Sequence, residues 1–279
     1  VAISVVQAIR KMRGGSQSQL MLGADQNLWV VKFQNNPQHI RVLANELIAS
    51  RLAQAIDLPV PVADVVDVAP WIVENSAGMD FELGQGRRER CRPGLQFGSA
   101  FVGGRAPGQV VDYLPDEQLG EISNLHEFAG MLCLDKWGGN CDSRQAVFSR
   151  RPTQRRYRAT FIDHGFYFNA GEWSFPDSPL RATCRWNRVY EKITGWDSFE
   201  PWLHCIEEME PDKLWDIAET VPPEWYGGNL SELEHLMERM LSRRSRVREL
   251  ILSFRNSDRN PFPLWPKSST VSVPQQFLY

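Results

Sequence analysis

Apolar residues at Ile40, Leu43, Ala44, Leu47, Ile48, Leu52 and Ala55 recur at the spacing of one helix face, which predicts a helix over 38–56. Leu58-Pro59-Val60-Pro61 stops it, because proline lacks the backbone donor and pushes its predecessor out of the helical region. Before the helix, the Val/Phe-rich run 29–33 predicts a strand. The Gly-Gly-Ser-Gln-Ser turn at 14–18 opens a hairpin of which that run is the second strand. After the helix, 63–68 and 70–74 predict strands, while 75–93 is polar, glycine-rich and charged and predicts a surface loop. Further on, the apolar run 128–134 predicts a helix ending at Asp135, and 157–162 predicts a strand that delivers Asp163 at its end. Between them, Arg150-Arg151-Pro152-Thr153-Gln154-Arg155-Arg156 reads as a charged hairpin tip. Helical patterns follow over 199–209, 213–220 and 230–254, the last with Leu233, Leu236, Met237, Met240 and Leu241 at core spacing. Beyond Arg255 the Asn/Ser/Pro-rich sequence predicts a loosely held tail. The expected architecture is α+β, with a β-rich part over 1–102 that contains one helix, a mainly helical part over 103–255, and a tail over 256–279.

Two charged residues interrupt this pattern. Lys32 sits in a strand of Val and Phe, where it must face either solvent or an anion. Glu46 lies off the apolar stripe of its helix. Exposure to solvent is the plainer reading, and an ion pair that positions Lys32 is the functional one.

Composition narrows the classes. With 279 residues, 42% of them hydrophobic, the chain can build two packed parts around a cleft. A net charge of −3 gives no global attraction to nucleic acid or to an anionic membrane. No apolar run approaches the ~18 residues of a membrane span, and the start lacks the pattern of a secretory signal, so a cytoplasmic protein is expected. Five cysteines, odd in number and without Cys-x-x-Cys spacing, argue against zinc and against a disulfide framework.

The chemistry concentrates in Asp135-Lys136-Trp137-Gly138-Gly139-Asn140 and in Asp163-His164-Gly165. An acid, an amide five positions on (140 − 135 = 5), and a second acid before glycine suit metal-assisted phosphoryl transfer. The first carboxylate would orient a hydroxyl and accept its proton, while the amide oxygen and the second carboxylate are hard donors for Mg²⁺. Protein kinases carry a similar layout, with Asp-Phe-Gly where this chain has Asp-His-Gly. The turn at 14–18 could lay N–H groups and hydroxyls over phosphates. Leu95-Gln96-Phe97-Gly98-Ser99 falls where the two parts join.

Together these segments resemble the HipA-like serine/threonine kinases, in particular a short, stand-alone branch. The resemblance rests on Asn45-Glu46-x-x-Ala49-x-x-Leu52-Ala53, on Leu58-Pro59-Val60-Pro61, on the Gly-Gly-Ser-Gln-Ser turn, on the strand and turn over 30–37, and on Asp135-Lys136-Trp137-x-x-Asn140. It implies a two-lobed kinase fold and an ATP- and Mg²⁺-dependent transferase acting on a protein Ser/Thr hydroxyl. It implies Asp135 as the base and Asn140 and Asp163 as metal ligands. Lys32, supported by Glu46, would contact the phosphates, with Gly15, Ser16, Gln17 and Ser18 over them and Phe97, Gly98 and Ser99 near the adenine. The resemblance does not include the additional N-terminal segment of HipA toxins, and a toxin–antitoxin-type partner is not demonstrable from the sequence. A small-molecule or lipid kinase and a non-catalytic nucleotide-binding module remain the alternatives. Ser16 and Ser18 are candidate autophosphorylation sites.

Overall fold

The structure, a computed structural model, describes residues 1–265 apart from 105, 107 and 121. Its N-terminal part is a closed five-stranded barrel built from β1 (Ile3–Lys11), β2 (Gln19–Gly23), β3 (Leu28–Lys32), β4 (Ala63–Val68) and β7 (Gly94–Ala100). The strand order is β1-β2-β3-β7-β4. All neighbours are antiparallel except β1 and β4, which close the barrel in parallel. Alternation along each strand sends Val5, Met21, Trp29, Val31 and Val66 into a shared apolar cluster. Gly98 of β7 makes room there: a Cβ at this position would lie 2.6 Å from Val66 Cγ1.

The turn at 14–18 joins β1 to β2, so the strand that contains Lys32 is the third of a meander and not the second of a hairpin. The short strand Gln19–Gly23 went unseen because Gln-Leu-Met-Leu-Gly is too brief for a period to register. The segment expected as a strand over 70–74 is instead a helix, α2 (Pro70–Asn75). Pro70 sits in its first turn, where the missing N–H has no intrahelical partner to lose, and Ile72 and Val73 are buried on one face. The loop expected over 75–93 holds a hairpin of β5 (Asp80–Glu82) and β6 (Arg88–Arg90), pinned under the barrel by buried Met79, Phe81 and Cys91.

Between β3 and β4 runs α1 (Val42–Ala55). It is buried almost all round, with Leu43, Leu47, Ile48 and Leu52 at or near zero exposure. Beyond the barrel come β8 (Val110–Val111), α3 (Asp116–Leu119) and α4 (Glu127–Gly138). Every residue of α4 is buried, as expected for a helix apolar on all sides. It ends at Gly139, whose φ of +60° is the left-handed cap that glycine adopts without a steric cost. A sheet of β10 (Arg158–Ile162), β9 (Gln145–Ser149) and β8 follows, with Arg150–Arg156 as the exposed tip between its two longer strands.

The remaining chain is helical: α5 (Trp202–Glu207), α6 (Pro211–Glu219), α7 (Leu230–Arg243) and α8 (Val247–Arg255). The helix expected over 199–209 is thus a 3₁₀ turn followed by a short α-helix. The one over 230–254 breaks at the 3₁₀ turn Arg244–Arg246. The expectation of a loose tail fails for 256–265. Phe262 is buried, ring centroids 5.6 Å from Phe254 and 6.0 Å from Tyr190, and stacks on Trp265. Residues 266–279 lie outside the described residues.

Candidate active site

A cavity of about 640 Å³ opens between the barrel and the α4–β10 region, within the range of small-ligand sites. Gly15, Ser16, Ser18, Lys32, Glu46, Phe97, Ser99 and Asp163 all line it, although they come from five separate stretches of chain.

Its floor is an ion-pair cluster. Lys32 Nζ donates to Asp163 Oδ1 at 2.8 Å and makes a short contact with Glu46 Oε1. Glu46 Oε2 accepts the His164 backbone N–H at 3.0 Å. Glu46 is 2% exposed, which overturns the solvent-exposed reading and favours the ion pair. It lies off the apolar stripe because its helix is buried on that side too, against the chain that follows β10. Burial alone would lower the Lys32 pKa, but Glu46 and Asp163 outweigh it and raise it, so the ammonium stays charged. Burial likewise pushes Asp163 up, and Lys32 overcomes it, leaving that carboxyl at about 2. Burial pushes Glu46 upward against the pull of Lys32.

Asp163 stands where β10 ends, in the left-handed region with φ +62°. Downstream, Phe168, Asn169, Ala170 and Trp173 also have positive φ. Non-glycine residues hold such angles only when their surroundings fix them. Here the fixing group is Asn45, fully buried on α1. Its Nδ2 lies within hydrogen-bonding distance of the carbonyls of Gly165 (2.9 Å), Tyr167 (2.8 Å) and Ala170 (2.9 Å), and its Oδ1 accepts Trp173 Nε1–H at 2.8 Å. Adjacent residues of one helix therefore set both the lysine and the acidic loop.

Four expected site residues are elsewhere. Gln17 turns away and bonds both backbone groups of Glu82 through its amide, at 2.9 and 2.8 Å. Gly98 faces the barrel interior, since neighbours on a strand point to opposite sides and Phe97 and Ser99 take the cavity side. Asp135 is 1% exposed and lines no part of the cavity. Its carboxylate accepts from Arg144 Nε at 3.1 Å and Nη2 at 2.5 Å, from Tyr167 Oη at 2.6 Å and from Asn140 Nδ2 at 3.1 Å. Three of these four donors converge on Oδ1 and one on Oδ2, so the carboxylate is held firmly in the interior, away from the cavity. Asn140 is buried too, and its other amide atom, Oδ1, accepts the Asp142 N–H at 3.0 Å.

The cavity wall offers substitutes that the sequence reading passed over. Asp142 and Gln145 both line it and both are exposed. Asp142 Oδ1 accepts the Ser143 N–H at 2.7 Å, while its Oδ2 takes no hydrogen bond from a described residue. Gln145 Nε2 donates to Asp163 Oδ2 at 3.0 Å. In the sequence these two residues appear within Asn140-x-Asp142-x-x-Gln145, a spacing with no distinguishing pattern of its own. Arg144, between the two, binds Asp135 on one side and the carbonyl of Ile162 at 2.9 Å on the other, tying the turn after α4 to the end of β10.

The donor set tests well for a divalent ion. Asp163 is held as a carboxylate, and Gln145 sits beside it with an amide whose oxygen and nitrogen can exchange places by a half-turn. No group of three or more His, Cys, Asp or Glu among the described residues could hold a metal alone. Mg²⁺ needs no such cage, because one or two protein ligands with phosphate and water suffice.

Solved structures that share this arrangement of elements include several kinases. The Golgi casein kinase matches with a TM-score of 0.53 at 12% identity, over 92% of this chain and 74% of that one. The Helicobacter pylori proinflammatory kinase CtkA matches at 0.52 and 11%, over 90% and 98%. Hydra Fam20 matches at 0.54 and 10%, over 94% and 89%. The Golgi enzyme has also been solved with Mn/ADP bound. At these identities the likeness defines the fold, which is kinase-like and mixed α+β. A comparison with curated protein sequences gives no match. The sequence model of the HipA-like kinases matches residues 5–151, more than half of the chain, and the protein belongs to that family. No helix among the described residues is long and apolar enough to cross a membrane.

Proposed function

We propose that the protein is an ATP- and Mg²⁺-dependent kinase that phosphorylates a Ser or Thr hydroxyl of another protein. In this reading residues 1–102 and 103–255 act as two lobes closing on the nucleotide. The observation that carries it is the cluster at the cavity floor: Lys32 held between Glu46 and Asp163, facing an exposed Asp142. Lys32 neutralises phosphate charge, and the turn at Gly15, Ser16 and Ser18 covers the phosphates with N–H and O–H donors. Phe97 and Ser99 sit on the adenine side.

Asp163 and Gln145 are the residues that would hold Mg²⁺, which supplies charge neutralisation on the phosphates when bound. Asp142 orients the acceptor hydroxyl and takes its proton through the free Oδ2. The acceptor oxygen forms a bond to the γ-phosphorus as the bond to the β,γ-bridging oxygen breaks, and ADP leaves with that oxygen. Arg144 and Asp135 hold the turn that presents Asp142.

The test is radiolabelled ATP offered to a cell lysate, with label counted separately in macromolecules and small metabolites. Label in protein that disappears with EDTA and with Asp142→Asn supports the proposal. Label confined to metabolites would replace it with a small-molecule kinase. Binding of ATP that ignores both Mg²⁺ and Asp163→Ala would leave only a binding module. Intact mass after incubation with ATP reads out phosphate on Ser16 or Ser18.

A further inference from the structure

Next to the nucleotide cavity lies a second hollow of about 290 Å³. Cys141 and Asp142 belong to the walls of both, so the exposed carboxylate stands at the junction. The rest of the hollow is ringed by Arg181, Arg185 and Arg259. Arg259 spends its guanidinium on neutral acceptors: Thr183 Oγ1 at 3.2 Å, Cys184 O at 3.1 Å and Arg185 O at 2.8 Å. Arg181 reaches the amide oxygen of Asn169 and leaves its buried Nε without a partner. Arg185 is exposed, and its guanidinium bonds no described residue.

Several other buried or half-buried arginines have carboxylate partners, as Arg144 has Asp135, Arg243 has Asp177 and Arg248 has Glu207, whereas Arg244 has only carbonyls. Here three guanidiniums gather around one cavity while the chain as a whole carries a net charge of −3. The acids nearby are Asp142 itself and Asp258, which lines the adjoining surface with Arg259. Lys136 lies behind the wall, its Nζ bonded to the carbonyls of Pro179 (3.0 Å) and Arg181 (2.5 Å), but its charge is offset by Asp135 and Asp177. The sequence from Pro266 to Tyr279 contains no Asp or Glu side chain to fill the site. Unpaired guanidiniums, one with a buried donor left idle, are a standing demand for an anion with several acceptor oxygens.

Resting on the kinase reading, we infer that this hollow is where the acceptor docks, and that it selects a peptide carrying an acidic or phosphorylated side chain within a few residues of the target hydroxyl. Asp142 at the junction fixes the order of events in space: the hydroxyl enters the nucleotide cavity while the neighbouring anion rests among the arginines. A peptide suits the site better than a nucleic acid. The hollow is small, Leu180 at 54% exposure gives it an apolar lip shared with the adjoining hollow, where Asp258 lies, and the net charge opposes a long polyanion.

The test uses the full chain and three fluorescent peptides that place one serine among glutamates, phosphoserines or lysines, with polyuridine as a fourth probe. Anisotropy without ATP measures binding, and label transfer with Mg²⁺·ATP measures turnover. Wild type is expected to prefer the glutamate or phosphoserine peptide over the lysine peptide by about 10-fold or more, as charge-assisted pairs to two arginines provide. The split between glutamate and phosphoserine tells which anion is preferred. Arg185→Glu combined with Arg181→Glu should erase or invert the ratio. Because the ratio is taken within one preparation, partial unfolding cannot produce the inversion. Equal binding of all three peptides, a preference that survives both substitutions, or tighter binding of polyuridine would overturn the inference. Absence of label transfer with the binding preference intact would instead count against the kinase reading alone.

Discussion

Two aspartates seven positions apart (142 − 135 = 7) end up in opposite circumstances. Asp135, in the last turn of α4, is buried and takes four hydrogen bonds from Arg144, Tyr167 and Asn140. Asp142, past the glycine cap, is exposed at a cavity wall with one oxygen free. The first is bound on all sides by groups that hold a structure together and is shut off from the cavity. The second is the reverse. Side-chain type and spacing to an amide single out an acid, whereas its access to the cavity depends on packing.

The largest expected effect breaks the comparison from the structural side. Asp135→Ala leaves Arg144 charged in the interior without its carboxylate and should destabilise the protein by about 3–5 kcal/mol, as removal of one member of a buried pair does. Denaturant melts would read this as a lower midpoint. A change below 1 kcal/mol would mean that Asp135 is not the anchor described. The complementary substitution, Asp142→Asn, should reduce phosphoryl transfer by at least ~10²-fold, about 2.7 kcal/mol of barrier. Its melting curve should overlay that of wild type, because the side chain is exposed. Transfer that persists in Asp142→Asn would return the role of base to another group.

A third acid sharpens the contrast by lying between the extremes. Asp163 faces the cavity yet is paired with Lys32, and its carboxyl is held at about 2. A depressed folded-state pKa adds stability above the unfolded value near 4 and loses it as pH falls toward 2. The loss amounts to on the order of 2 kcal/mol. Acid titration of stability should therefore be shallower in Asp163→Asn than in wild type across that window. Equal slopes would show that Lys32 leans on Glu46 alone. The smallest effect belongs to the exposed hairpin tip. Arg155→Ala should change stability by no more than about 0.5 kcal/mol, in contrast to any change at Arg144.

Much of the scaffold was legible because period and burial coincide. The barrel strand Ala63–Val68, the strand ending at Asp163 and the long buried helices follow from patterns that solvent imposes on the chain. Lys32, Asp163 and the turn at 14–18 could be placed at a cavity because a charge in a strand and an acid at a strand end have few other uses. What escaped was whatever depends on partners far along the chain. Glu46 looked exposed because its apolar stripe was read alone, whereas its partners, Lys32 and the backbone of His164, are 14 and 118 residues away. Gln17 and Gly98 were expected at the nucleotide with their whole segments, by resemblance, whereas β5 draws Gln17 away from the cavity and strand alternation turns Gly98 into the barrel. The different surroundings of Asp135 and Asp142 depend on Arg144, which binds Asp135 and the end of β10 and leaves Asp142 at the cavity wall.

The reach of Asn45 has a bearing on how this chain can vary in length. One short amide meets carbonyls at positions 165, 167 and 170, and its oxygen meets the indole at 173. These positions are spaced like teeth against a single pawl. Insertion or loss of one residue anywhere between 164 and 173 would carry at least one tooth past its stop and swing Asp163 off Lys32. The hairpin tip at 150–156, which no such device gauges, can lengthen or shorten freely. Among descendants of this sequence, the segment after β10 should be the part whose length is counted most strictly, even where its letters change.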